Sequence, residues 1–248
     1  MTSALTYLWL ETKRQWRNRE ILIFRLGLPL AIYLILIAVQ DQPDHPSGSG
    51  GLPWATGRMV ALAALGAVMS GLASGPSLGE DRASGWLRHL RTTPLRPATA
   101  VAAKIAVAMS FALPAIALVA AAAASIDDVA LSWTRWLGVV GLMWLATAPL
   151  TALGALIGLA LSAEAAQGAT TLAFIVLWLL GGIFTPVSNL PEMLATISRA
   201  LPSYGLVQVG WSAAGGQTLA ASAVAVLAAW TVGAGALAAL AWRRVVAR

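Results

Sequence analysis

The residues able to do chemistry in this chain are few and gather in short clusters. Ten Asp and Glu, sixteen Lys and Arg and two His are spread over 248 residues, with no cysteine. A disulfide scaffold and a thiolate metal site are thereby excluded. The densest cluster, residues 79–104, carries Glu80, Asp81, Arg82, Arg88, His89, Arg91, Arg96 and Lys104 between two uncharged runs. A phosphate-cradling loop needs the pattern G-x-x-x-x-G-K-[ST], and neither Lys13 nor Lys104 follows one. Serine proteolysis would need Ser70 or Ser74 to meet a histidine, but His45 and His89 both lie in polar loops. No His or carboxylate cluster has the spacing to hold a metal. No catalytic set emerges, so what is left to this cluster is recognition. Ala83, Trp86, Leu87 and Leu90 recur at i, i+3, i+4 and i+7, one face of a helix, with Asp81, Arg82, Arg88 and His89 on the other side. Thr93 and Pro94 read as the N-cap and first position of the helix that follows. The apolar face can rest on a membrane interface or sit in a partner's groove, and the residues alone leave both open.

The elements around the cluster are membrane spans. Hydrophobic residues make up 58% of the chain and charged ones 10%, with mean hydropathy +0.76. A typical soluble protein is roughly one quarter charged. The pattern predicts an all-α polytopic membrane protein with six transmembrane helices, near 21–39, 57–78, 104–125, 136–161, 167–184 and 218–242. Arg25 is placed to snorkel from the first span, and Pro29 to kink it. Residues 1–20 form an interfacial helix, with Leu5, Leu8, Trp9, Thr12 and Trp16 on one face and Lys13, Arg14 and Arg17 on the other, suited to lipid headgroups. Residues 185–216 contain Pro186, Pro191 and Pro202, too interrupted for a span and too apolar for a solvated loop. They predict an external re-entrant helical hairpin between helices 5 and 6. The spans read as empty of ionisable residues except Arg25 at an end and Glu164 in a cytoplasmic link, which argues against an independent ion-coupled transporter.

The net charge of +6 is an orientation signal and predicts no nucleic-acid partner. Six spans put both termini on one side, together with thirteen of the sixteen Lys and Arg; only Arg58, Arg135 and Arg199 lie on the other. Positive residues mark the cytoplasmic side, so both termini and the 79–104 cluster are expected there, in the cytoplasmic membrane of a cell. No soluble domain breaks the chain, which reads as one transmembrane domain over 1–248.

Taken together, these features resemble the ABC-2 type permeases, the membrane subunits of type V ABC transporters. The resemblance spans essentially the whole chain. It is carried by Glu80, Arg82, Gly85, Leu87, Leu90, Thr93-Pro94 and Lys104, and by Gly182-Ile183-Phe184-Thr185-Pro186 with Leu190-Pro191 and Leu201-Pro202. Trp86 departs from it, since the family more often has a small polar residue after the glycine.

The resemblance implies a permease that binds no nucleotide itself and docks on separate ABC ATPase subunits, two per complex, which hold ATP and Mg. It implies pairing with a second permease copy or paralogue. Residues 79–95 become a coupling-helix loop with Glu80, Arg82, Gly85, Trp86, Leu87, Leu90, Arg91, Thr93 and Pro94 as contacts. Residues 1–20 become the connecting helix, with Trp9, Lys13, Arg14, Trp16 and Arg17 foremost. The expected function is outward movement of an amphipathic or hydrophobic compound (drug, antibiotic or lipid-like), as in multidrug efflux, with Met69, Phe174, Trp178 and Phe184 along the substrate path. The alternative is a membrane scaffold or immunity-type subunit that binds a partner and transports nothing. Neither reading makes the chain an enzyme by itself, and neither needs a cofactor in this chain.

Overall fold

The structure is a computed structural model that describes residues 2–17, 22–39, 51–86, 97–184 and 187–247. Among these residues every regular element is helical. Helix α1 (Thr2–Arg17) precedes a π-helical turn (Ile23–Gly27) that runs into α2 (Leu28–Val39). Then come α3 (Trp54–Leu72), α4 (Ser74–Ala83), α5 (Pro97–Ile126), α6 (Trp133–Leu145), α7 (Ala148–Ala160) and α8 (Ala163–Leu180). A 3-10 turn (Val187–Asn189), α9 (Glu192–Arg199), α10 (Pro202–Gly215) and α11 (Ala221–Ala247) complete the chain. Among the described residues, five helical rods are long and apolar enough to cross a membrane: Trp54–Ala83, Val101–Ile126, Trp133–Ala160, Ala163–Leu180 and Ala221–Arg244. A shorter apolar helix, Ile23–Val39, precedes them.

Prolines set where the rods break. Proline lacks an N–H, so it leaves the carbonyl four residues back without its helical donor. Pro76 does this to Leu72, where α3 ends, and Pro149 does it to Leu145, where α6 ends. Pro29 does it to Arg25, and there the chain takes the π-helical turn, the disturbance expected at this proline. Pro114 stays within α5 without ending it. Beside its loosened turn, the Met109 carbonyl accepts a hydrogen bond from Trp144 Nε1 at 2.9 Å.

Small residues let the rods touch. Gly71, Gly75 and Gly79 recur every fourth residue across the α3–α4 break, and Gly154 and Gly158 do so on α7. A Cβ on Gly71 would stand 2.7 Å from Leu150 Cβ, and one on Gly154 would stand 2.6 Å from Ser74 Oγ. A Cβ on Gly79 would meet Ala166 Cβ of α8 at 3.1 Å. Such i, i+4 spacing of small residues is how membrane helices bring backbones together, where dispersion and polar contacts replace the hydrophobic drive. Ser74 Oγ adds a hydrogen bond across the seam to the Thr151 carbonyl, 3.3 Å.

The main core surrounds α3, with Tyr33, Met59, Leu65, Leu72, Met143, Leu150 and Leu206 fully enclosed. A second cluster joins Leu78, Val101, Ala155, Leu159 and Ala238, with Trp242 against it. That cluster brings the last turns of α11 to the same end of the bundle as the α4 terminus and the α5 start. Helix α1 lies against α5 there too, with the Trp16 and Phe111 rings 5.2 Å apart. This is the terminal end. At the far end sit α9, α10 and the start of α11, where Trp230 Nε1 donates to the Ala200 carbonyl at 2.8 Å.

Several sequence expectations change. The rod of the second span starts at Trp54 and runs to Ala83, so residues 79–83 of the charged cluster belong to it. Gly85 has φ +72°, a left-handed break that only glycine adopts readily. Ala83 and Trp86 therefore do not share one continuous helical face. Arg58, Asp81 and Lys104 are buried within helices, so the spans are not free of ionisable groups. The segment 185–216 does hold two helices; α10 packs against α3, α6 and α11, and Gly216, at φ +68°, ends it. Thr185 and Pro186 lie outside the described residues.

Candidate functional site

Three segments converge at the terminal end, and one ammonium sits between them. Lys104, two turns into α5, is the only charged residue of that helix and is 2% exposed. A buried lysine needs an anionic partner to offset its lost hydration. Asp81 Oδ2 of α4 lies 2.7 Å from Lys104 Nζ, and Glu11 Oε1 of α1 lies 3.8 Å away. The Ser77 carbonyl accepts a further bond from Nζ at 3.2 Å. Helix α1 presents Tyr7, Leu8, Glu11, Thr12 and Gln15 inward, at the spacing of one helical face. Tyr7 faces Trp86, Glu11 and Asp81, and burial pushes its phenol above the usual range. The nearby Trp86 indole opposes that rise. Gln15 Oε1 accepts from Arg25 Nη1 at 3.0 Å, which ties α1 to the π-helical turn as well.

The expected contact residues distribute unevenly around this junction. Glu80 is exposed at the end of α4, and Trp86 is exposed beyond Gly85. Arg82 turns the other way: its Nη1 donates to the Gly158 and Leu161 carbonyls at 3.2 and 2.8 Å, closing the C-terminus of α7. A cation there also opposes the negative end of the helix dipole. Leu87, Leu90, Arg91, Thr93 and Pro94 lie outside the described residues. On α1, Trp9 and Trp16 are exposed, and Lys13 Nζ sits 4.8 Å over the Trp9 ring. Arg14 and Arg17 are exposed on the same helix.

The proposed path residues fall on α8 and beside it. Phe174 and Trp178 stack with centroids 6.4 Å apart, and Phe184 tilts onto Trp178 at 5.1 Å. Met69, Phe174 and Trp178 are partly buried against the main core, whereas Phe184 is exposed. The three aromatics are thus brought together, and Met69 packs on the same core from α3.

A second buried ion pair lies toward the far end. Arg58 of α3 pairs through Nη2 with Asp127 just beyond α5, and Tyr33 donates its hydroxyl to the same carboxylate at 2.8 Å. The Trp54 ring covers the guanidinium at 3.9 Å from its centroid. Asp128 takes φ +50°, and the Val129 N–H bonds back to the Ala123 carbonyl, a helix-ending motif that normally uses glycine. Spans 2 and 3 are therefore tied at both ends by ion pairs, and the Tyr33 hydroxyl adds span 1 to the far one by a hydrogen bond.

Sequence reasoning missed both nodes as nodes. The available signal was isolation: Lys104 is the lone charge in the run 97–126, and Glu11 is the lone acid of α1. An isolated charge at membrane depth has to have a partner.

Comparison with known proteins completes the picture. The family described as ABC-2 type transporter matches residues 2–210, from α1 into α10. A Bacillus subtilis (strain 168) protein named "Putative transport permease YvfS" is 28% identical over 206 residues, covering 81% of each chain. With most of its length matched, the chain belongs to the ABC-2 type transporter family.

Proposed function

We propose that the chain is the permease subunit of an ATP-driven exporter, carrying an amphipathic or hydrophobic compound out across the cytoplasmic membrane. The observation that carries this reading is the junction at the terminal end. There the N-terminal helix, the end of the second span and the start of the third span are joined through Lys104, beside an exposed Trp86. In this reading the terminal end faces the cytoplasm, in keeping with the Lys and Arg distribution. A separate ABC ATPase subunit binds the 79–95 loop and α1, two such subunits serve each complex, and ATP and Mg belong to them. The apolar residues of the loop anchor the contact as a helix in a groove. The segment 185–216 is the external hairpin.

Export needs two permease domains around a path, so a second copy or paralogue completes the unit. Helix α8 is in keeping with this, because the C-terminal half of its outward side is apolar, with Leu172, Ile175, Val176 and Leu179 exposed. The Phe174–Trp178–Phe184 ladder beside it suits an apolar cargo better than a small ion. The test is to reconstitute the chain with its candidate ATPase and follow ATP-dependent movement of lipophilic dyes. Partner-dependent transport that Leu87→Asp with Leu90→Asp abolishes is the expected result. Binding without any transport, whatever the compound supplied, would leave the scaffold reading in its place.

A further inference from the structure

Lys104 stands between two carboxylates on unequal terms. Asp81 Oδ2 at 2.7 Å is a close ion-pair contact, reinforced by the Ser77 carbonyl at 3.2 Å on the same rod. Glu11 Oε1 at 3.8 Å is beyond hydrogen-bond length and is held by through-space attraction alone. Both carboxylates are largely buried, with side chains 10% and 7% exposed, and they come from different helices. Arg82, the nearest cation in sequence to Asp81, is occupied by the Gly158 and Leu161 carbonyls. A displacement of α1 would therefore open the Glu11 arm first, while Lys104 keeps its seat on the second span.

We infer that Lys104 is a positioning residue that clasps the N-terminal helix to the second span, with Asp81 as its fixed arm and Glu11 as its releasable one. The inference rests on the permease reading in one respect: the two segments so joined are those on which a separate ATPase would act. Docking that shifts α1 then shifts the 79–95 loop with it while the clasp is closed, and frees α1 from the loop when it opens.

The absence of native cysteine makes the test direct. A cysteine in place of Leu8, half-buried on the inward face of α1, reports opening through its rate of maleimide labelling in the full chain in nanodiscs. Glu11→Gln is expected to speed labelling about fivefold, the scale of a weak ion pair. Lys104→Met is expected to speed it at least as much, and Lys104→Arg to return it to within about twofold of the parent. The combination of Glu11→Gln with Lys104→Met is expected to label no faster than Lys104→Met alone, because both remove one interaction. An unchanged rate in Glu11→Gln, or effects that multiply in the combination, would overturn the clasp. If Lys104→Met does not fold, Glu11→Gln with Lys104→Arg still decides it. In the complex with an ATPase, Glu11→Gln is expected to lower compound moved per ATP hydrolysed; an unchanged ratio would overturn the positioning role. The labelling result stands whether or not an ATPase is found, so failure of the permease reading is told apart from failure of the clasp.

Discussion

Asp127→Asn isolates the ion pair toward the far end and allows its effect to be estimated. Arg58 is 8% exposed, and of its guanidinium nitrogens only Nη2 has a hydrogen-bond acceptor. Removing the carboxylate charge leaves a buried cation against the Trp54 ring, and breaking one partner of a buried pair costs about 3–5 kcal/mol. For a chain of this length each kcal/mol moves the melting temperature by roughly 2–4 °C, so a fall of about 6–20 °C is expected. Tyr33→Phe removes one hydrogen bond to the same carboxylate and is expected to cost about 0.5–1.5 kcal/mol, a few degrees at most. Replacing both partners together, Arg58→Met with Asp127→Leu, removes the charge problem and is expected to lie within about 2 kcal/mol of the parent. The assay is thermal unfolding of the purified protein in one detergent, followed by tryptophan fluorescence. If Asp127→Asn melts with the parent, or the double replacement is worse than the single, the buried-pair reasoning is wrong.

Gly154→Leu forces a side chain onto Ser74 Oγ and the Leu72 carbonyl and is expected to cost at least 1–3 kcal/mol, seen as aggregation on size exclusion. Gly141→Ala, which meets nothing within 4 Å, is the matched control and is expected to elute normally. The Tyr7 phenol is raised by burial above its ordinary value of 10.0, so the folded chain holds its proton where the unfolded chain loses it. Its contribution to stability is full below about pH 10, falls as pH rises above that value, and is absent in Tyr7→Phe; alkaline unfolding of the two proteins checks this. Leu90→Asp is expected to abolish co-purification of an ATPase with the helices still folded, as judged by circular dichroism.

The fold was legible where composition and periodicity speak with one voice. Long apolar runs marked the helical rods, and Pro29 marked the disturbed turn before α2, because a missing N–H acts locally. Boundaries were less legible: the helix runs through residues 79–83 although Glu80 and Asp81 are charged, since Asp81 is paired with a lysine distant in sequence. The Ala83 face failed because the left-handed turn at Gly85 depends on how the helix ends, which an apolar period does not encode. The glycine seam was visible only as a small-residue run, because its meaning needs the facing Gly154 and Gly158. Ion pairs between residues 69 or 93 positions apart are tertiary facts that a single sequence marks only by the isolation of each charge.

The central claim is that this chain is moved by another protein's ATP hydrolysis. The most direct measurement is dye efflux from proteoliposomes holding the chain and its candidate ATPase, run beside an ATPase variant that binds but cannot hydrolyse ATP. Efflux that requires both proteins, and stops in the hydrolysis-deficient complex, is the predicted result. Efflux by the chain alone, or efflux unchanged by the inactive ATPase, would contradict it.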